Sequence, residues 1–187
     1  MPVWLADDDL WFPPVTDADE DGLLAVGGDL RVERLLQAYR QGIFPWYNED
    51  EPPLWWSPDP RFVLFPQELR VSASMRNVMN KHLFRFRIDA AFPEVIGNCA
   101  AARRKGDPGT WISDDVANAY IRLHEAGYAH SAEAWQDGKL VGGLYGVRLG
   151  HVFFGESMFS KVSNASKFAF IQWVQYLQQQ GVTIIDC

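Results

Sequence analysis

The chain has 187 residues, of which 48% are hydrophobic and 22% charged, a composition typical of one globular domain or of a domain with a small appended lobe. No apolar run approaches the roughly 18 residues of a membrane-spanning helix, and residues 7–9 are acidic where a signal peptide is basic. The two cysteines, Cys99 and Cys187, exclude a disulfide framework and a Cys-rich metal site, so we expect a cytoplasmic protein.

The net charge of −7 is unevenly distributed along the chain. Residues 1–30 contain eight acids and no Lys or Arg, which leaves 16 acids against 17 bases in the rest. Binding of nucleic-acid phosphates requires Lys and Arg side chains. The nearly neutral remainder can carry a basic face, so the total charge does not exclude a nucleic-acid partner.

The first 61 residues predict one helix between two irregular segments. Residues 1–30 are acidic and interrupted by Pro and Gly pairs, which favours an irregular lead-in. Apolar residues at helical spacing predict a helix over 31–41, with Asp29 as its N-cap and Gly42 at its end. Residues 43–61 are dense in Pro and Trp and predict an ordered loop rather than a regular element.

The remaining residues predict alternating helices and strands. In chain order these are a helix from Ser72 or Ser74 to Lys81, a strand over 84–89, a helix over 92–104, a turn at 106–109, and a helix from the Ser113 cap to Gly127. A three-strand meander over 131–135, 140–147 and 152–157, a helix over 165–180 capped by Asn164, and a buried strand over 182–186 complete the set. This order predicts an α+β fold, and it resembles the GCN5-related N-acetyltransferase sheet, in which a splayed strand pair opens the active site.

Two carboxylates stand at the ends of apolar strands. Glu156 follows the apolar residues 152–155, and Asp186 follows the apolar residues 182–185. A carboxylate in such a setting loses hydration and needs a partner. These residues are either acids that reach solvent at the strand ends or a pair on neighbouring strands that attracts a cationic substrate.

Four tryptophans stand in predicted loops or turns: Trp46, Trp55, Trp56 and Trp111. A loop tryptophan offers a flat face on which a nucleobase can stack, or it fills the protein's own core. The sequence leaves both interpretations open for each of them.

Basic residues form two clusters. One surrounds a helix–strand junction and contains Arg76, Lys81, His82, Arg85 and Arg87; the other is Arg103-Arg104-Lys105. Alternation in residues 84–87 places Arg85 and Arg87 on one face of a strand. The clusters are either solvated faces or phosphate-binding surfaces.

Other catalytic chemistries lack their motifs here. The four histidines, at 82, 124, 130 and 151, are dispersed and show no metal-ligand spacing, so we predict no metal. The Gly155-Glu156-Ser157 sequence lacks the closing glycine of a nucleophile elbow, so covalent catalysis is not expected. No glycine occurs in residues 158–165, where a coenzyme A pyrophosphate loop is expected, and we predict no cofactor.

Eight short motifs are distributed along nearly the whole chain: GLLAVGGDL at 22–30, GIFPW at 42–46, LWWSPDPR at 54–61, GTWI at 109–112, VGGLYGV at 141–147, GESMFS at 155–160, NASK at 164–167 and IDC at 185–187. In these motifs the chain resembles the leucyl/phenylalanyl-tRNA–protein transferase family nearly from end to end. Eight motifs in this order identify the chain as a member of the family.

The resemblance implies a small N-terminal lobe, residues 1–62, that contains the Trp/Pro-rich loop, and an acetyltransferase-like domain, residues 63–187. It implies an aminoacyltransferase that moves Leu or Phe from aminoacyl-tRNA to proteins beginning with Arg or Lys and marks them for degradation. Such a transfer needs no metal and no nucleophilic side chain, because the acceptor's own α-amine attacks the ester.

The resemblance also implies roles for individual residues. Asp186 would orient or help to deprotonate the α-amine, and Glu156 would contribute to an acidic site for the cationic acceptor. Positions associated with the terminal adenosine and the aminoacyl group are Tyr39, Trp46, Trp111 and Tyr120. Leu144 would line the apolar side-chain pocket. The cluster of Arg76, Lys81, Arg85 and Arg87 would bind the acceptor-stem phosphates.

Family members continue beyond the position of Cys187, typically with a Gln that is proposed to act with the aspartate. The sequence therefore predicts a chain truncated at its C-terminus, with residues 182–186 left as an exposed apolar edge strand. Two alternatives remain open: an inactive tRNA- or peptide-binding fragment of the family, and an acyl-CoA-dependent N-acetyltransferase.

Overall fold

The computed structural model describes residues 2–102 and 111–187. The predicted turn at 106–109 and the cluster Arg103-Arg104-Lys105 lie outside the described residues. The helices are α1 (Val32–Arg40), α2 (Ala73–Asn80), α3 (Phe92–Ala101), α4 (Asp114–Glu125) and α5 (Ala165–Gln179). The strands are β1 (Val3–Leu5), β2 (Leu23–Gly27), β3 (Phe44–Pro45), β4 (Leu54–Trp56), β5 (Val63–Leu64), β6 (Arg85–Ile88), β7 (Ala129–Gln136), β8 (Lys139–Leu149), β9 (Val152–Ser160) and β10 (Ile184–Asp186).

The N-terminal segments form a small sheet, which corrects the prediction of an irregular lead-in and an irregular Trp/Pro-rich loop. Strands β1–β4 pair in the order β1-β2-β4-β3. The sheet is anchored by Trp55 on β4, which is fully buried and donates its indole N–H to the carbonyl of Gly27 at 2.8 Å. A buried Trp whose N–H has a partner stabilises this sheet, in which β4 pairs antiparallel with both β2 and β3.

The larger sheet contains six strands in the order β5-β10-β9-β8-β7-β6. Strands β6 to β9 are antiparallel, and β10, which follows α5, pairs parallel to β9. The predicted α+β class is confirmed, and the meander followed by a helix and a parallel strand is the arrangement expected for an acetyltransferase-like sheet.

The prediction that residues 182–186 form an exposed edge is wrong. Strand β10 lies between β9 and β5, because Ile185 and Asp186 pair with Leu64 and Val63 on its outer side. The backbone N–H of Cys187 also donates to the carbonyl of Phe62 at 3.0 Å. The last strand is therefore an inner strand of the sheet, with Ile185 buried.

Helices cover both faces of the large sheet. Helices α3 and α4 pack on one face together with α1 and the small sheet, and their apolar residues form one continuous core that includes Leu35, Tyr39 and Tyr120. Helix α5 packs on the opposite face, where Trp173 contacts Phe153 of β9. No described helix has the length and apolarity needed to cross a membrane.

Two of the predicted helix caps are confirmed and two are not. The hydroxyls of Ser72 and Ser113 accept hydrogen bonds from the N–H of the third following residue, at 3.2 and 3.3 Å. Asn164 precedes α5 in a left-handed conformation (φ +69°) without a capping hydrogen bond from its side chain. Asp29 does not cap α1, because Arg31 occupies the N-cap and the Asp29 carboxylate is bound to Arg31 and Arg34.

Candidate active site

A β-bulge on β9 sets the direction of the Glu156 side chain. On β9, Ser157 pairs with Tyr145 and Gly155 pairs with Gly146, so Glu156 is the extra residue between two consecutive partners on β8. A bulge bends its strand and changes the direction of a side chain. Here Glu156 is directed toward the face that carries α1 and α4, where its carboxylate meets two tyrosines.

Glu156 accepts hydrogen bonds from two buried phenols. Tyr39 of α1 donates to Oε1, and the single hydroxyl proton of Tyr120 of α4 is shared between Oε2, at 3.3 Å, and the phenol oxygen of Tyr39. Burial raises the pKa of Glu156 to about 7, against the lowering effect of both hydrogen bonds, and nearby Asp186 raises it further. Burial and the adjacent carboxylate hold the pKa of both tyrosines well above its usual value. Glu156 can therefore gain or lose a proton near neutral pH.

Asp186, at the end of β10, is held by Arg61. The guanidinium donates from Nε to Oδ1 at 3.2 Å and from Nη2 to Oδ2, so both carboxylate oxygens are bound. Arg61 also donates from Nη1 to the carbonyl of Gly42 at 3.1 Å and lies over the ring of Phe44 at 5.0 Å. A forked guanidinium–carboxylate pair fixes the orientation of both groups.

Both acids line one cavity of about 310 Å³. Its walls contain Tyr39, Phe44, Pro45, Trp46, Arg61, Trp111, Phe154, Gly155, Glu156, Asp186 and Cys187. Five of the residues singled out in the sequence, Tyr39, Trp46, Trp111, Glu156 and Asp186, therefore line one space. Tyr120 is fully buried and does not line the cavity, but its hydroxyl contacts both Glu156 and Tyr39, which do.

A second, mostly apolar cavity of about 300 Å³ lies next to the first. It is lined by Leu144, Tyr145, Phe153, Gly155, Glu156, Ser157, Met158, Phe170, Ile185 and Cys187. Gly155, Glu156 and Cys187 border both cavities. Leu144 thus lines a different cavity from the aromatic wall, and Glu156 borders both cavities.

The structure distinguishes the two interpretations that the sequence left open for the tryptophans, a face for stacking or a core residue. Trp55 belongs to the core, whereas Trp46 is 50% exposed and contacts the ring of Trp56 at 5.7 Å. Trp111 is half-buried and lines the same cavity as Trp46. The exposed face of Trp46 is available for stacking in a way that Trp55 is not.

The structure does not bring the predicted basic residues to this cavity. Arg76, Lys81, Arg85 and Arg87 are exposed. Arg85 and Arg87 share one face of the edge strand β6, where Arg87 lies over the ring of Trp135 at 5.1 Å. Three strand spacings, about 14 Å, separate β6 from β9. Arg85 and Arg87 therefore lie at a distance from Glu156.

Three of the four histidines, His124, His130 and His151, have polar partners in the structure. His130 pairs with Asp89 at 2.7 Å, and the Nδ1 atoms of His124 and His151 lie 2.9 and 2.8 Å from backbone carbonyls. Among residues 2–102 and 111–187, no group of three or more His, Cys, Asp or Glu side chains is arranged to hold a metal ion.

Arg61 is the site residue that sequence reasoning missed. It closes the LWWSPDPR motif, yet it contacts a carboxylate 125 positions away. The sequence did contain an indication of this pair. A charged Arg within a Pro-rich motif and an acid at the end of an apolar strand each need a partner when they are buried. No spacing in the sequence joined the two residues.

Comparison with known proteins identifies the family. A sequence model described as leucyl/phenylalanyl-tRNA protein transferase matches residues 63–187, and one described as the N-terminal domain of that transferase matches residues 28–59. The chain belongs to the leucyl/phenylalanyl-tRNA protein transferase family. It is therefore an aminoacyltransferase.

The curated relatives carry the same family name. The chain is 59% identical to the leucyl/phenylalanyl-tRNA–protein transferase of Flavobacterium johnsoniae, over 96% of this chain and 84% of the relative. The corresponding proteins of Syntrophobacter fumaroxidans and Stutzerimonas stutzeri are each 57% identical over 100% of this chain, and over 80% and 83% of their own lengths.

Similarity to solved structures is weaker. The L-PGS structure from Bacillus licheniformis has a TM-score of 0.47 at 12% identity and covers 87% of this chain and 51% of that chain. A conserved protein of unknown function from Bacteroides thetaiotaomicron has a TM-score of 0.46 at 13% identity, with 68% and 49% coverage. At these TM-scores the similarity assigns no function to this chain.

Proposed function

We propose that this chain transfers Leu or Phe from aminoacyl-tRNA to the N-terminal Arg or Lys of acceptor proteins. The observation that carries the proposal is the joint presence of Glu156 and Asp186 in a cavity with an aromatic wall, beside a mostly apolar cavity of about 300 Å³. An acidic space suits a cationic acceptor, and an adjoining apolar space suits an aliphatic or aromatic side chain.

The proposed reaction forms a peptide bond from an ester. The neutral α-amine of the acceptor attacks the carbonyl carbon of the aminoacyl ester, a C–N bond forms, and the bond to the ribose oxygen breaks. The amine loses one proton, and the leaving ribose oxygen gains one. An α-amine has a pKa of about 8, so a weak base is sufficient, and positioning of the two substrates supplies most of the acceleration.

Glu156 and Asp186 would have different roles toward the attacking α-amine. With a pKa of about 7, Glu156 can accept a proton from the attacking amine at neutral pH. Asp186, whose carboxylate is fixed by Arg61, would orient the α-amine and attract the cationic acceptor. In this assignment Glu156 is the proton acceptor and Asp186 is the orienting acid.

The aminoacyl-adenosine end would lie across the two cavities. Trp46 and Trp111 offer faces for the terminal adenosine, and Tyr39 and Tyr120 hold Glu156 beside it. The Leu or Phe side chain would occupy the apolar cavity that contains Leu144, where shape disfavours β-branched side chains. Residues 1–62 and 63–187 would form two structural parts, with the site between them.

The tRNA acceptor stem would contact the basic residues on α2 and β6. Arg76, Lys81, Arg85 and Arg87 are exposed and can bind phosphates without reading the base sequence. Transfer would occur in the cytoplasm, where aminoacyl-tRNA is made, and would mark the acceptor for degradation.

The test compares transfer of labelled Leu from Leu-tRNA by wild type, Asp186→Ala and Glu156→Gln. We expect Asp186→Ala to abolish transfer and Glu156→Gln to lower kcat by roughly 10²-fold or more, the usual contribution of a general base. Glu68→Gln, on an exposed turn, is the matched control. Wild-type rates in both site variants would remove the two acids from the mechanism.

A further inference from the structure

The Arg61 side chain connects three parts of the chain at the edge of the cavity. Arg61 lies between β4 and β5, and it binds the carbonyl of Gly42 after α1 and the carboxylate of Asp186 at the end of β10. Its side chain is 27% exposed, and that of Asp186 is 12% exposed. The pair is therefore largely withdrawn from solvent and is screened less than a surface ion pair.

The charges in the cavity explain why a cation is needed at this point. Glu156 and Asp186 line the same cavity, and the carboxylate of Asp186 disfavours ionisation of Glu156. Among the described residues that line this cavity, Arg61 is the only Arg or Lys. It opposes the effect of Asp186 on the pKa of Glu156, lowering that pKa where Asp186 raises it.

We propose that Arg61 is a positioning residue of the transfer reaction: it fixes the Asp186 carboxylate through a forked pair and supplies the positive charge that lets Glu156 ionise in the same cavity. The inference rests on the transfer function proposed above. The fork holds both oxygens of Asp186, so that carboxylate keeps one orientation toward the α-amine. The hydrogen bond from Arg61 to the carbonyl of Gly42 links the Asp186 carboxylate to the end of α1. That helix carries Tyr39, which donates a hydrogen bond to Glu156.

Lysine cannot reproduce the full arrangement. An ammonium group supplies the positive charge but not a planar fork that reaches two carboxylate oxygens and a carbonyl together. Arg61→Lys therefore separates the two parts of the proposal, because charge is kept while orientation is lost. Arg61→Met removes both while retaining a long side chain.

The first experiment measures kcat and KM for Leu transfer at about pH 6 and about pH 8 in wild type, Arg61→Lys and Arg61→Met. We expect both variants to lose kcat by up to about 10²-fold, the usual effect of a small misplacement. In Arg61→Met the activity at about pH 6 should also fall several-fold relative to that at about pH 8, because Glu156 retains its proton to higher pH. Arg61→Lys should keep the wild-type ratio.

Arg148→Met is the matched control. Arg148 likewise connects two segments through backbone carbonyls, donating to Gln180 at 3.0 Å, but it does not line the cavity. We expect Arg148→Met to lower the melting temperature and to leave unchanged the ratio of the activities measured at the two pH values. If Arg61→Met behaves like Arg148→Met, with lower stability and an unchanged ratio, Arg61 has a structural role alone and the proposal is wrong.

A second measurement does not depend on activity. Carbon-13 NMR of labelled Glu carboxyl groups follows the titration of Glu156, which is assigned by its disappearance in Glu156→Gln. We expect the midpoint of Glu156 to move to higher pH in Arg61→Met and to stay near the wild-type value in Arg61→Lys. An unmoved midpoint in a folded Arg61→Met variant overturns the inference even if wild type transfers Leu. If the Glu156 midpoint moves in Arg61→Met but wild type does not transfer Leu, the effect of the Arg61 charge on Glu156 is supported and the proposed transfer function is rejected.

If Arg61→Met does not fold, the Arg61→Lys variant still tests the positioning role of Arg61. A wild-type kcat in Arg61→Lys would contradict the need for a fork. A reduced kcat with a wild-type titration of Glu156 would support it.

Discussion

At the residue scale, Glu156 makes stability depend on pH. Its pKa rises from the usual 4.5 to about 7 in the folded protein, so between these values the folded state binds more protons than the unfolded state. The contribution of Glu156 to stability is thus fully present below about pH 4.5 and is lost as pH rises through about 7. A carboxylate kept in this position opposes folding at neutral and alkaline pH.

Glu156→Gln should therefore raise the free energy of unfolding at about pH 8, by roughly 1–3 kcal/mol, with a smaller gain at about pH 5. Urea denaturation at the two pH values measures this difference. The exposed Glu68→Gln variant should show no such pH-dependent gain. A Gln variant that is less stable than wild type at both pH values would contradict the account of Glu156 burial.

The tyrosines make a related prediction about activity. Both phenols donate hydrogen bonds to the Glu156 carboxylate and lower its pKa. Tyr39→Phe should raise that pKa and move the acidic limb of the rate profile to higher pH. Tyr176→Phe, on α5, is the control for loss of a phenol elsewhere. An acidic limb at the same pH in wild type and Tyr39→Phe would show that Glu156 does not set it.

At the element scale, the bulged pair β8–β9 depends on close backbone approach. A Cβ atom on Gly146 would lie 2.1 Å from the carbonyl oxygen of Phe154 and 2.5 Å from the ring of Phe153. Gly146→Ala should destabilise the protein by about 1–3 kcal/mol or more and displace Glu156, because backbone must move to accept the methyl group. Thermal unfolding and transfer activity measure the two effects.

Gly97→Ala provides the contrasting case within a helix. Gly97 lies in α3, and a methyl group added there would have open space within 4 Å, so the substitution should stabilise by about 0.5–1 kcal/mol. Equal effects at Gly97 and Gly146 would contradict the importance of close approach at the bulge.

The sequence predicted elements where periodicity was strong and missed them where it was weak. Helices α2 and α4 with their Ser caps, and the meander β7–β9, were predicted because their patterns repeat over several residues. Strands β1 to β4 have two to five residues each and contain Gly, Pro and Trp, so no alternation distinguishes them from a loop. Their pairing depends on partners far along the chain.

The candidate site was likewise predicted only in part from the sequence. The strand-end positions of Glu156 and Asp186 were visible in the sequence, since acids after apolar runs are unusual. The bulge that directs Glu156 toward Tyr39 and the pairing of Asp186 with Arg61 were not visible, because both depend on register between distant segments. Local pattern identified the acids, and tertiary structure supplied their partners.

At the scale of the whole molecule, a protein with a net charge of −7 must bind tRNA through a local basic surface. Replacing Arg85 and Arg87 by Gln should raise KM for charged tRNA and leave kcat at saturation unchanged, because both residues are on β6, away from the acids. The logarithmic salt dependence of binding should weaken by about 0.7–0.9 for each phosphate that the variant no longer neutralises. Arg148→Gln is the control, and an unchanged salt dependence in the double variant would remove β6 from the tRNA surface.

The function proposed for the cavity is to join an aminoacyl group to a cationic N-terminus. The most direct test is the transfer of labelled Leu from Leu-tRNA by this 187-residue chain to two acceptors that differ only in beginning with Arg or Met. We predict labelling of the Arg acceptor and none of the Met acceptor. Equal labelling of both acceptors, or no labelling of either while charged tRNA is bound, would contradict the claim.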